Sequence, residues 1–115
     1  MPVIRTYYDE SDEPVARIVE DEGVYVVSMD VFAEVKSPPE GAEAVHISDR
    51  YVVWVRRRPL GGGWCEFVYF QFPGGVQLIN VKYVGPDDPE AAVAMLRQAF
   101  QEEVAQHKKE EGDGH

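Results

Sequence analysis

A single cysteine, Cys65, leaves this chain with no intramolecular disulfide and without the thiols of a multi-cysteine zinc site. Long apolar runs are missing too: none approaches the ~18 residues of a membrane-spanning helix. The first residues, Met-Pro-Val-Ile-Arg-Thr-Tyr-Tyr, lack the charged and then apolar pattern of a secretory leader. A soluble, cytoplasmic protein with no membrane partner is the expectation. Basic charge is scarce, with 11 Lys and Arg against 21 Asp and Glu and a net charge of −10. That argues against gripping nucleic acid with the whole surface, because the phosphate backbone rewards positive charge. Leu and Ile are few beside Val, and β-branched side chains suit a pleated surface better than a helix.

What the chain has is enough apolar material for a core: 115 residues, 44% hydrophobic and 11% aromatic, the size of one domain. The expectation is one α+β domain over residues 1–109 and a disordered tail over 110–115. Its centre is the stretch Arg50–Val84, three β-rich runs separated by Pro-Leu-Gly-Gly-Gly and Pro-Gly-Gly, which reads as an antiparallel meander. Counting Pro59–Gly63 as a five-residue loop pairs Arg58 with Trp64, Arg56 with Glu66, Trp54 with Val68 and Val52 with Phe70. A turn at Gly74-Gly75 then puts Gln77, Ile79, Val81 and Tyr83 on the face of Trp54. Both faces come out largely apolar, so cover on both sides is expected.

Upstream, Pro2–Tyr8 reads as a short strand, and Pro14–Glu20 reads as strand against a competing helix whose caps would be Ser11 or Asp12 and Gly23. Val24–Lys36 alternates with Tyr25, Val27, Met29, Val31, Ala33 and Val35 on one face, and a strand of this length is expected to bulge near Ser28–Asp30. Glu43–Ile47 is a further short strand. Downstream, Gly85-Pro86 ends the meander, Asp87 or Asp88 caps a helix with Pro89 in its first turn, and Val93, Leu96, Phe100 and Val104 recur at helical spacing. The whole is then an antiparallel sheet of about five to seven strands with one C-terminal helix, about 88–109, packed on one face.

Charge is unevenly placed. Met1–Asp49 carries 3 basic and 12 acidic residues, Arg50–Gly85 carries 5 and 1, and Pro86–His115 carries 3 and 8. The meander is a basic island, and Arg50, Trp54, Arg56, Arg57, Arg58, Trp64 and Lys82 are its candidate residues for a nucleic acid or a protein partner. Arginines beside sheet aromatics are how several single-strand binders hold phosphates and stack bases. The competing reading makes these arginines a balance to the acidic flanks and a guard against edge pairing.

Other constellations are thinner. Pro59–Gly63 lacks the Gly-Lys-Ser/Thr ending and opens no helix, so it reads as a flexible hairpin tip and not as a phosphate loop. Glu103 and His107 stand four apart on the helix, but two ligands without a third make no metal site, and a solvated helix face is the expectation. Cys65 and His46, with Asp30 or Asp49, are the inventory for nucleophilic catalysis, and nothing in their spacing brings them together. No catalytic, metal or cofactor site is therefore assigned. The leading expectation is a non-catalytic binding or assembly protein acting through protein–protein contacts, with itself as homodimer or with another protein as partner. Single-stranded nucleic-acid binding at residues 50–84 is the alternative, and an acidic nucleic-acid mimic or a small enzyme comes third.

Overall fold

The turns decide how this chain pairs. In the computed structural model, which describes residues 1–112, the strands are β1 (Val3–Tyr8), β2 (Pro14–Asp21), β3 (Val24–Val35), β4 (Glu43–Ile47), β5 (Val52–Leu60), β6 (Gly63–Phe72) and β7 (Gly75–Gly85). They form one antiparallel sheet in the order β1-β2-β3-β7-β6-β5-β4, and the helix α1 (Pro89–Gly112) packs on one face. This is the expected α+β architecture. Residues 14–20 are strand because Glu22 (φ 52) and Gly23 (φ 80) make a two-residue turn, both in the left-handed region. Such a turn matches the twist of its flanking strands, and it sets Ile18 opposite Val27. Ile18, Ala16, Val27 and Met29 are buried beneath the helix side.

Two expected registers are corrected. The connection between β5 and β6 is the two-residue turn Gly61-Gly62, with Pro59 and Leu60 inside the strand, so Arg57 rather than Arg56 opposes Glu66, and Trp54 opposes Tyr69 rather than Val68. A one-residue slip exchanges faces. Trp54, Arg56 and Arg58 therefore share the helix-covered face with Cys65, Phe67 and Tyr69, while Val68 and Phe70 lie on the other. Between β6 and β7 the turn is Pro73-Gly74, since Phe72 pairs with Gly75.

The long-strand irregularity lies at Asp30–Ala33, slightly beyond the expected Ser28–Asp30. There Val31 and Phe32 face the single residue Ile79, and Ile79 is also the extra residue against Val68-Tyr69 of β6. The extra residue resets the alternation of β7, so that Leu78 and Val81 both point into the core. The bulges of the neighbouring strands β3 and β7 are thus aligned across the sheet.

The glycine-rich tip at Gly61–Gly63 is not a free loop. The Gly62 N–H donates to the Asp87 carboxylate at 2.8 Å, and a Cβ on Gly63 would stand 2.1 Å from the Val84 carbonyl oxygen. Asp87 in turn donates its own N–H to the Tyr83 hydroxyl at 2.9 Å, and Asp88 caps the helix by accepting the Ala91 N–H at 3.1 Å. The hairpin tip and the helix start are one clamped corner.

The inner line of α1 is Ala92, Val93, Leu96, Ala99, Glu103 and His107, all buried. Phe100 and Val104 pack at its edge. The helix runs to Gly112, so the first residues of the expected tail are helical, and 113–115 lie outside the described residues. The N-terminal strands lengthen the sheet beyond β3, and among the described residues no helix or further strand layer packs on its second face, against the expectation of cover on both sides. No described helix is long and apolar enough to cross a membrane.

Candidate functional site

The basic island is divided by the pleat. On the covered face Arg56 reaches Glu103 through Nε–Oε2 at 3.1 Å and a second, shorter bond from Nη2 to Oε1, and Arg58 Nη2 donates to Glu102 at 2.9 Å. Their guanidinium carbons lie 5.0 and 5.6 Å from the Phe67 ring centroid, an arrangement that favours a cation over an aromatic face. On the opposite face Arg57 Nε donates to Glu66 at 2.7 Å, and its Nη1 lies 3.7 Å from Glu43. The hydrogen bond to Glu103 raises the Arg56 pKa against the opposing effect of burial, Glu66 does the same for Arg57, and Arg58 holds Glu102 below the usual carboxylate range. All three arginines of the triplet therefore carry a carboxylate from this chain.

The remaining nominated residues do not converge. Trp54 packs against the core and donates Nε1–H to Gln71 at 2.8 Å. Trp64 is 54% exposed on the uncovered face, Lys82 lies on that face opposite Glu66 and Ser28, and Arg50 is exposed in the turn before β5. Phe67 and Tyr69, the aromatics nearest the triplet, are fully buried under the helix. The Gly61-Gly62 tip has its amide occupied by Asp87, whose charge opposes any phosphate there.

Glu103 and His107 are not a solvated face. They are 5% and 7% exposed, and with Arg56 and Tyr69 they make a buried polar cluster. Tyr69 Oη lies 2.5 Å from Glu103 Oε2 and 2.7 Å from His107 Nε2. Because Glu103 is paired with Arg56 it accepts, so Tyr69 donates its one proton to Glu103 and receives the His107 Nε2–H. Burial, then the bond to Glu103, raises Tyr69 far above its ordinary value, so it stays a hydroxyl donor. A cleft of about 140 Å³ beside the cluster is lined by Pro39, Glu40, Gln106 and Glu110 together with cluster side chains. Among the described residues no group of three or more His, Cys, Asp or Glu is placed to hold a metal ion.

Catalysis by Cys65 finds no support in this geometry. Burial pushes the Cys65 thiol up to about 11, which keeps it protonated, and it lies on the covered face of β6 while His46 is exposed on the edge strand β4.

The uncovered face is the surface left in search of a role. Reading partners strand by strand, Ile4 opposes Val19, Val19 opposes Val26, Val26 opposes Val84, Val84 opposes Trp64, and Trp64 opposes Pro59. One apolar row thus crosses six strands, and Ile4 is 58% exposed at its far end. The next row along the strands is Thr6, Arg17, Ser28, Lys82, Glu66 and Arg57, wholly polar. No known family, curated protein or solved structure matches this chain.

Proposed function

We propose that this is a non-catalytic binding and assembly protein that works through protein–protein contacts and is itself a homodimer, joined by the uncovered face of its sheet. The observation that carries this reading is the apolar row from Ile4 to Pro59. A solvated sheet face alternates into polar residues, and unbroken apolar rows on a surface mark contact sites. Seven strands about 4.8 Å apart and six residues along each make a face roughly 30 by 20 Å, so two copies bury about 1,200 Å², within the size of specific interfaces. A copy of the chain is the simplest occupant because a two-fold axis closes the assembly at two.

The buried cluster supports the non-catalytic part. Its donors and acceptors are matched to one another, and a matched buried network holds elements in place. Here it ties β5 and β6 to the last turns of α1.

Size-exclusion chromatography with light scattering tests the reading. A dimer mass at micromolar concentration is expected, and a single exposed-face substitution, Trp64→Glu, is expected to halve it. A monodisperse monomer of the wild-type chain at that concentration ends the proposal.

A further inference from the structure

The two rows on the uncovered face are related to each other in a way that defines how a second copy sits. We infer that two copies pack face to face about a two-fold axis parallel to the strands and lying between β3 and β7, so that Arg17 of each meets the partner's Glu66. This rests on the homodimer reading above and specifies its geometry.

The six strands of the apolar row run β1-β2-β3-β7-β6-β5, with the midpoint between β3 and β7. A two-fold along the strands there reverses strand order while leaving position along the strand unchanged. Val26 then meets the partner's Val84, Val19 meets the partner's Trp64, and Ile4 meets the partner's Pro59, so the whole row packs on itself. In the polar row, Arg17 meets the partner's Glu66, Ser28 meets the partner's Lys82, and Thr6 meets the partner's Arg57. No cation stands over a cation. Glu66 already accepts from Arg57, and Arg17, exposed and without a carboxylate in ion-pair range among the described residues, supplies a second donor.

The twist of real sheets does not undo the match. Stacked sheets cross at about 30°, and β2 and β6 stand only one and a half strand spacings, ~7 Å, from the axis. A crossing of that size displaces Arg17 from Glu66 by roughly 3–4 Å, within the reach of an arginine side chain. An axis running across the strands behaves differently. It sets Arg17 over the partner's Asp21 but leaves Glu66, Lys82 and Arg57 over Gly62, Pro86 and Gly61, with charges buried and unmatched, which is costly.

The test is charge reversal read by sedimentation equilibrium. Arg17→Glu is expected to weaken the dimer at least tenfold, and Arg17→Glu with Glu66→Arg is expected to return it to within about threefold of wild type. Unfolding midpoints certify the variants, and Arg17→Gln, which keeps the aliphatic stem, carries the test should Arg17→Glu fail to fold. If Arg17→Glu leaves the dimer unchanged while Trp64→Glu dissociates it, the register is overturned and the face-to-face dimer stands. Rescue by Asp21→Arg instead of Glu66→Arg overturns the axis. A monomeric wild type overturns both this inference and the reading beneath it.

Discussion

Replacing Glu103 with alanine removes the one acceptor on which Arg56 and Tyr69 both converge. Truncating one member of a buried ion pair costs about 3–5 kcal/mol, because the other charge is left without a partner. Here the Arg56 side chain is 25% exposed, so water relieves part of that cost. The Tyr69 hydroxyl, fully buried, keeps only His107 Nε2, 2.7 Å away, and that ring must change tautomer to accept from it, so its cost falls at the low end of the about 1–3 kcal/mol of an orphaned buried donor. Together these put Glu103→Ala at roughly 2–4 kcal/mol, a fall in the melting midpoint of about 10–20 °C for a domain of this size. The double variant Arg56→Met/Glu103→Leu removes both charges and leaves no unpaired ion, so it is expected to be more stable than Glu103→Ala alone. Thermal and urea unfolding followed by circular dichroism at pH 7 would measure both. A cost under ~1 kcal/mol for Glu103→Ala, or simple additivity of the Arg56 and Glu103 substitutions, would show that the cluster is not a coupled buried network, since contacting members of one network couple by about 0.5–3 kcal/mol.

Alkaline pH offers a second check. The folded-state pKa of Cys65 is raised from 9.0 to about 11 and that of Tyr69 is raised from 10.0, so the unfolded chain loses these protons first. Stability from Cys65 is full below pH 9.0 and is lost between there and about 11, and that from Tyr69 begins to be lost above pH 10.0. The urea midpoint of wild type should fall across this range, Tyr69→Phe should flatten the upper part, and equal slopes for the two proteins would count against the assignment. At the clamped corner, Gly63→Ala puts a Cβ 2.1 Å from the Val84 carbonyl oxygen, so the strands must part. A loss of at least ~2 kcal/mol is expected, whereas Gly41→Ala, left-handed (φ +84) but in open space, should cost only about 1 kcal/mol. Similar losses at the two glycines would show that the tip does not pack against β7 as described.

Much of the fold was legible because its signals are local. The alternation of Val24–Val35, the Pro and Gly breaks and the Asp88-Pro89 helix start each depend on a few neighbouring residues. Register was less legible, since Pro59 and Leu60 look like loop residues yet pair with Trp64 and Gly63. One residue of error there moved Trp54 and Phe70 onto a shared face they do not have. The polar cluster was hidden for a different reason. Hydrophobic periodicity places apolar residues inward, and from Ala99 onward the inner line of α1 continues through Glu103 and His107. What could have exposed it is the spacing itself, since Ala92, Leu96, Ala99, Glu103 and His107 follow one stripe at three and four. The basic island was a true feature of the sequence, but its carboxylate partners lie 44 and 47 residues away for Arg58 and Arg56, beyond any local pattern.

The order of the strands also has a consequence for how the chain reaches this state. Three neighbours in sequence make one half of the sheet, β1-β2-β3, and four make the other, β4 through β7. Among the described residues only the β3–β7 ladder joins them, and its partners are distant: Val35 pairs with Val76 and Tyr25 with Gly85. Each half can assemble from short hairpins, whereas the joining ladder must close a loop of some forty to sixty residues, which slows folding. The meeting of the two meanders is therefore the expected slow step, with the helix packing against both β3 and β7 once they join. A chain nicked between Lys36 and Ala42, in the connection that crosses from one half to the other, would yield two fragments that recombine through that single seam.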